Sequence, residues 1–324
     1  MRASDPSILN IQSLIPSLWN RAFSVALVAS IGGLVTYASS AEEVAGPADI
    51  PNLLTFWDFQ EPAGSERISM GEYAYGLEEM NGPIDRVEDG IFGPYSAGLE
   101  WGQWFRIERQ DAPGLDLHGD DQQVTMVAWV KRESDLVWQY IAGMWNEGDQ
   151  RFLGQAAAEG ARAPARQYAL FMSGAWQNDY TTYNRSRAEH QVHGYVSPFG
   201  GATPEHPFAF DYASGATEIE KGRWYMLAYT FDTEVIKVYV DGKLDENSNY
   251  NPFEYNQGIH DGGETGSDFT VAQRNHPQWP TYPEGSPEFP RYVEGFDGRI
   301  AGLAVYDRAL TAAEIAALYS ATME

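Results

Sequence analysis

Short runs rich in Val, Tyr, Phe, Trp and Thr recur from residue 53 to residue 306, and Gly, Pro, Asp or Asn separates each from the next. Helical periodicity is scarce, so the runs read as strands. The clearest are residues 53–59 (LLTFWDF), 123–130 (QVTMVAWV), 168–172 (YALFM), 224–231 (WYMLAYTF) and 235–240 (VIKVYV). In the last of these, Ile236, Val238 and Val240 form an apolar face that should point into a core. Asp241-Gly242 follows as a hairpin turn, because glycine accepts the positive φ that such turns need. Residues 298–306 (GRIAGLAVY) read as a final strand. After them Thr311 and Glu314 have capping-box spacing, and Ile315 and Leu318 give a short helix an apolar stripe. Many strands, long irregular connections and one terminal helix predict an all-β, antiparallel sandwich with one short C-terminal helix. No repeat and no linker divides residues 50–324, which read as one domain.

Composition excludes several functions. The 324 residues hold 46 acidic against 21 basic side chains, a net charge of −25, and no cysteine. A disulfide scaffold, a cysteine nucleophile and a thiolate metal site are therefore ruled out. So negative a surface repels phosphate backbones and anionic lipid, which argues against nucleic acid as a partner. Aromatic residues make up 14%, too many for a disordered acidic chain.

Residues 22–37 form an uncharged run of 16, preceded by Arg21 and followed by Ala38, Ser39, Ser40 and Ala41. A spanning helix needs about 20 apolar residues, whereas a shorter run before small residues fits a cleaved secretory signal. Residues 1–41 are thus expected to be a signal peptide, or else an uncleaved N-terminal anchor, and residues 42–324 an exported domain, secreted or held in the periplasm or cell envelope. Cleavage after Ala41 removes Arg2, Asp5 and Arg21 and leaves a net charge of −26 over 283 residues. A domain of that size buries about three quarters of its unfolded surface and needs no covalent staple. An exported chain without disulfides favours a bacterial source.

Four segments in order resemble the laminin-G-like jelly-roll domain of the concanavalin A-like lectin and glucanase superfamily. Thr55-Phe56-Trp57-Asp58-Phe59 is similar to its opening strand, and Val124-Thr125-Met126-Val127-Ala128-Trp129-Val130 to the strand that carries a core Trp. Gly222-Arg223-Trp224-Tyr225, continuing to Val238-Tyr239-Val240-Asp241-Gly242-Lys243-Leu244, resembles its most distinctive hairpin. Phe296-Asp297-Gly298-Arg299-Ile300, followed by residues 305–311 and Glu314-Ile315, resembles its closing strand and helix. The resemblance implies an antiparallel jelly-roll sandwich with a curved face that binds carbohydrate in many members, and a frequent Ca2+ at the rim. For that ion the candidates are Asp58 and Asp297, beside the first and last strands. Trp57, Trp129, Trp224 and Tyr239 belong to strands and are expected in the core.

Fold leaves function open. For a glycoside hydrolase the resemblance implies the catalytic glucanase branch's two glutamates and an aspartate on alternate positions of one strand, and no such signature occurs. Glu218-Ile219-Glu220 comes nearest, but precedes a Lys221-Gly222 turn and reads as solvated charge. His193 and Tyr195 alternate, as the base and acid of a polysaccharide lyase would on a strand. In a Gly-rich loop the same pair would supply hydrogen bonds or stacking.

Long aromatic connections carry more weight. The stretch 176–214 reads as one connection containing Trp176, Tyr180, Tyr183, Tyr195, Phe199, Phe208 and Phe210. A second holds His276, Trp279, Tyr282, Phe289 and Tyr292 among five prolines, which stiffen it. Aromatic rings stack on the C–H faces of sugars, while Asn178, Asp179, Asn184, Arg185, Arg187 and Gln278 could meet hydroxyls. The alternative is that such rings form satellite cores under their own loops. The expected ligand contacts are Trp176, Tyr180, Tyr183, Arg185, His193, Tyr195, Trp279 and Tyr282. The leading expectation is a secreted carbohydrate-binding or adhesion module that takes a polysaccharide, neutral rather than acidic on charge grounds. A polysaccharide lyase or glycoside hydrolase on the same fold, and an envelope protein-interaction module, remain as alternatives.

Overall fold

In the computed structural model the apolar alternation of these runs resolves into two antiparallel sheets packed face to face. The structure describes residues 44–136, 138–148, 163–173, 190–206, 209–248, 250–274 and 295–324. In chain order the strands are β1 (Leu53–Trp57), β2 (Arg67–Ile68), β3 (Gly76–Met80), β4 (Asp85–Glu88), β5 (Tyr95–Leu99) and β6 (Trp104–Ile107). There follow β7 (Val124–Arg132), β8 (Trp138–Asn146), β9 (Ala165–Ser173), β10 (Gln191–Val196), β11 (Tyr212–Ser214) and β12 (Tyr225–Phe231). The last are β13 (Val235–Val240), β14 (Lys243–Leu244), β15 (Phe253–Glu254), β16 (Phe269–Val271) and β17 (Gly298–Tyr306), before helix α1 (Ala312–Met323).

The first sheet runs β14-β13-β12-β7-β17-β5-β4, with β1 also on β17 and β15 on β13. The second runs β11-β10-β9-β8-β16-β6-β3-β2. Even-numbered residues of β7 (Val124, Met126, Ala128, Val130) and odd-numbered ones of β12 (Tyr225, Leu227, Tyr229, Phe231) face inward. They meet Tyr168, Leu170, Met172, Val192 and Val196 of the second sheet. Ile236, Val238 and Val240 join this core, as their alternation predicts.

The outer face of the first sheet is also apolar, because α1 covers it. Val127, Trp129, Met226, Ala228 and Tyr306 pack with Ile315 and Leu318. Thr311 accepts a hydrogen bond from the Glu314 amide at 3.2 Å and Glu314 accepts one from the Thr311 amide at 2.8 Å, closing the capping box. Trp129 Nε1 donates to Thr322 Oγ1 at 2.9 Å and ties the end of the helix to the sheet. The hairpin between β13 and β14 turns at Asp241 (φ 48°) and Gly242 (φ 77°). A Cβ at Gly242 would lie 2.7 Å from Cβ of Tyr319 on α1, so the glycine is needed twice over. Trp57, Trp129 and Tyr239 are buried and Trp224 is half-buried.

The stretch 176–214 departs from its reading as one irregular connection, since it contains β10 and β11. Val192 and Val196 face the core with Gly194 between them, whose missing side chain leaves room for Tyr229. A glycine in that inward position hides the alternation that marks a strand.

Candidate site on the outer face of the second sheet

Where an antiparallel sheet faces water, its outward positions are ordinarily polar. The second sheet departs from this. Tyr140 and Trp145 of β8, Phe171 of β9, Tyr195 of β10 and Tyr212 of β11 form a separate apolar cluster, with Trp138 and Phe210 half-buried beside it. Register brings them together, because Tyr140 pairs with Phe171, Phe171 with His193, and Tyr195 with Tyr212. The rings form a continuous ladder. Phe171 lies 4.9 Å from Tyr140 and 5.1 Å from Tyr195, centroid to centroid. Tyr195 lies 5.2 Å from Trp145 and 4.5 Å from Tyr212, and Tyr212 lies 5.6 Å from Phe210. Edge-to-face and stacked pairs of this kind each add about 0.5–1.5 kcal/mol beyond their area burial.

Polar groups are set into this layer. His193 stacks on Tyr212 at 4.7 Å, and the hydroxyls of Ser173 and Ser214 lie 2.9 and 3.0 Å from its Nε2. Thr270 of β16 donates to the Tyr140 hydroxyl at 3.2 Å, and burial pushes that phenol well above its ordinary range.

At the far end of β8 two arginines converge on one carboxylate. Glu147 pairs with Arg166, forms an ion pair with Arg274 Nη1 at 3.0 Å and accepts from Trp145 Nε1 at 2.8 Å. Each arginine side chain is 1% exposed. Burial pushes the Glu147 carboxyl up, but the Arg166 and Arg274 guanidiniums more than cancel this and hold it well below the ordinary carboxylate value. Arg166 reaches this face through a β-bulge. Tyr168, which points into the core, pairs with Met144, yet the next pair is Arg166 with Trp145. The extra residue, Gln167, reverses the alternation, so Arg166 turns outward with its guanidinium 5.8 Å from the Trp145 ring centroid.

Among the residues expected in the site, His193 and Tyr195 stand side by side on β10, with ring centroids 6.0 Å apart. Both are buried on the aromatic face rather than displayed on a loop. Phe210 joins the layer at its rim, whereas Phe199 is exposed. Trp176, Tyr180, Tyr183, Arg185, Trp279 and Tyr282 lie outside the described residues, as do residues 1–43. Glu218 and Glu220 are exposed, on either side of buried Ile219.

Asp58 and Asp297 are not brought together. Trp57 pairs with Leu303, so Asp58 leaves the sheet beside Gly302, five residues and about 16 Å along β17 from Asp297. Asp58 instead receives the Gln60 amide, and among the described residues no group of three or more histidines and carboxylates could hold a metal ion. These residues do not fit the calcium ion that the family resemblance implies.

Sequence reading missed Trp138, Tyr140, Trp145, Phe171 and Tyr212, and with them the Arg166–Glu147–Arg274 cluster. The alternation of Trp138 with Tyr140 was the available signal for the first two.

A laminin-G-type family model, described as the concanavalin A-like lectin/glucanases superfamily, matches residues 109–316. No curated protein matches the sequence. Among solved structures, domain 4 of AbnA, a GH43 extracellular arabinanase from Geobacillus stearothermophilus in complex with arabinotriose, is similar at 15% identity and a TM-score of 0.45, covering 83% of this chain and 98% of that one. The binding domain of botulinum neurotoxin DC in complex with rat synaptotagmin II is similar at 8% identity and a TM-score of 0.46, covering 84% of this chain and 52% of that one. A mutant Trypanosoma rangeli sialidase displaying trans-sialidase activity is similar at 16% identity and a TM-score of 0.46, covering 83% and 32%. This chain therefore spans about half of the toxin binding domain and a third of the sialidase.

Proposed function

We propose, from the premise that the chain belongs to the concanavalin A-like lectin/glucanases superfamily, that it is an exported carbohydrate-binding module whose sugar site is the outer face of the second sheet. One observation carries this reading. An outward sheet face that would ordinarily be polar is an aromatic ladder, interrupted by His193, Ser173, Ser214 and Thr270. The central rings of the ladder are buried, and it reaches the surface at the half-buried Trp138 and Phe210, whose flat rings match the C–H faces of a pyranose. The segments 149–162, 174–189 and 275–294 link strands of this sandwich and hold further rings, Trp176 and Trp279 among them.

Export is supported by the leader-like residues 22–41, and a domain of this size is stable there without a disulfide. No helix among the described residues is long and apolar enough to cross a membrane. Cell fractionation tests this half of the proposal, and retention in the cytoplasm contradicts it.

Glycan binding is tested by screening the protein as exported against a broad polysaccharide panel. Binding should be weakened by Phe210→Ala, Trp176→Ala or Trp279→Ala. Silence across the panel sinks the proposal.

A second reading, a polysaccharide lyase, is favoured by the side-by-side placement of His193 and Tyr195. It requires release of unsaturated uronate absorbance from some substrate, and its absence across uronic polysaccharides argues for binding alone.

A further inference from the structure

We infer that His190 is an acid-sensitive latch at the entry to β10: as a neutral ring it lets the strand close against the 216–222 connection, and protonation opens that end. Three features of its place in the fold carry this, whatever the second sheet binds. His190 is buried, its Nδ1 finds no hydrogen-bond partner among the described residues, and its backbone is left-handed at φ 56°. A residue other than glycine keeps that conformation only where its surroundings enforce it. The enforcing contact is to Ile219, whose amide donates to the His190 carbonyl at 3.1 Å. The carbonyl of the same Ile219 accepts from Arg132 Nε at 2.5 Å, so one residue links the histidine to a guanidinium whose side chain is 5% exposed. Arg132 is fixed in turn by the Ser134 carbonyl at 2.7 Å and by Asp135 at 3.2 Å.

A proton on this ring makes both nitrogens donors and adds a charge. Of the charged groups that face it among the described residues, Arg132 at the end of β7 and Lys221 beyond Ile219 are cations. Asp135, between β7 and β8, and Glu218, beside Ile219, are carboxylates, but both are exposed, and Asp135 already pairs with Arg132 and Lys221. Burial first, and Arg132 next, hold the imidazole below its ordinary value of 6.5. A charged ring therefore gains hydration only by leaving its place, and the Ile219–His190 hydrogen bond is lost with it. Linkage sets the sign. An open state that binds its proton at about pH 6.5, against a closed state that binds it lower, gains population as pH falls below 6.5, by up to about tenfold per unit within that window. Above pH 6.5 the latch contributes in full. Because β10 carries His193 and Tyr195, acid loosens one end of a strand of the ring ladder.

His260 is also held low by burial, so a change of pH alone does not single out His190. The test is amide hydrogen exchange of the full chain, residue by residue, at pH 7, 6 and 5, corrected for the intrinsic pH dependence of exchange. The opening constant at Ile219 and at residues 191–193 should rise about threefold or more from pH 7 to pH 5, with no such rise at Val127 and Ala228 in the middle of the first sheet. His190→Asn, which accepts a left-handed backbone and does not titrate, should hold the Ile219 constant level across the range. An Ile219 amide that opens equally at all three pH values overturns the inference, as does a rise that His190→Asn leaves intact or one that Val127 and Ala228 share. If the variant fails to fold, the imidazole resonances of the parent decide: titration of His190 at pH 6.5 or above in the folded chain overturns the latch, and titration below it supports the latch.

Discussion

Glu147→Gln perturbs the site without removing a ring. The glutamate holds two guanidiniums that are each 1% exposed, and it accepts Trp145 Nε1 as well. The amide has no charge, and one of its two ends becomes a donor facing donors. Removing one partner from a buried ion pair is destabilising by about 3–5 kcal/mol. At roughly 2–4 °C per kcal/mol for a domain of this order of size, the melting temperature should fall by about 6–20 °C at pH 7. The pH dependence has a definite sign. Burial alone would raise the carboxyl's pKa, but the guanidiniums hold it below its ordinary value of 4.5. Its contribution to stability is therefore fully present above pH 4.5 and is lost as pH falls through the depressed folded value. Thermal melts of both proteins followed by circular dichroism from pH 7 to pH 3 provide the assay. The gap between them should be constant above about pH 5 and narrow below pH 4.5. A Glu147→Gln protein melting within about 2 °C of the parent at pH 7, or a gap that widens on acidification, would refute the reasoning.

Other consequences are simpler to test. Gly143 has φ 146°, and a Cβ there would meet the Tyr168 carbonyl oxygen, so Gly143→Ala should be destabilising by about 3 kcal/mol in chemical denaturation; a loss below about 1 kcal/mol counts against the described β8–β9 register. Thr311→Ala removes the helix cap and should lower stability by about 1 kcal/mol in the same assay. Leu318→Ala empties a fully buried position under α1 and should lower it by about 2–5 kcal/mol. Asp58→Ala and Asp297→Ala should each leave the effect of added calcium on the melting temperature unchanged, because the two carboxylates are separated along β17; loss of a calcium-induced rise in both variants would show that they share an ion.

The parts of the fold that can be read from sequence are those whose two faces are both apolar or cleanly alternating. β7 is buried along nearly its whole length and β13 alternates, so each stands out as a run of β-branched and aromatic residues. The terminal helix announces itself through Thr311 and Glu314. β2 to β6 have exposed or polar positions and little apolar contrast, and β10 conceals its pattern behind Gly194. In the site, His193 and Tyr195 are legible because two residues of spacing place them on one strand face. The Arg166–Glu147–Arg274 cluster is not, because its members are 19 and 127 residues apart in sequence and meet only through strand register and a bulge. Local spacing carries no trace of such a meeting.

The most direct test of a sugar site on the second sheet is amide hydrogen exchange of the full chain with and without the tightest-binding glycan of the panel. Added protection should fall on residues 138–146, 165–173, 191–196 and 212–214, the strands that carry the ring ladder. Protection confined to β12, β13 or the helix-covered face of the first sheet would contradict the account.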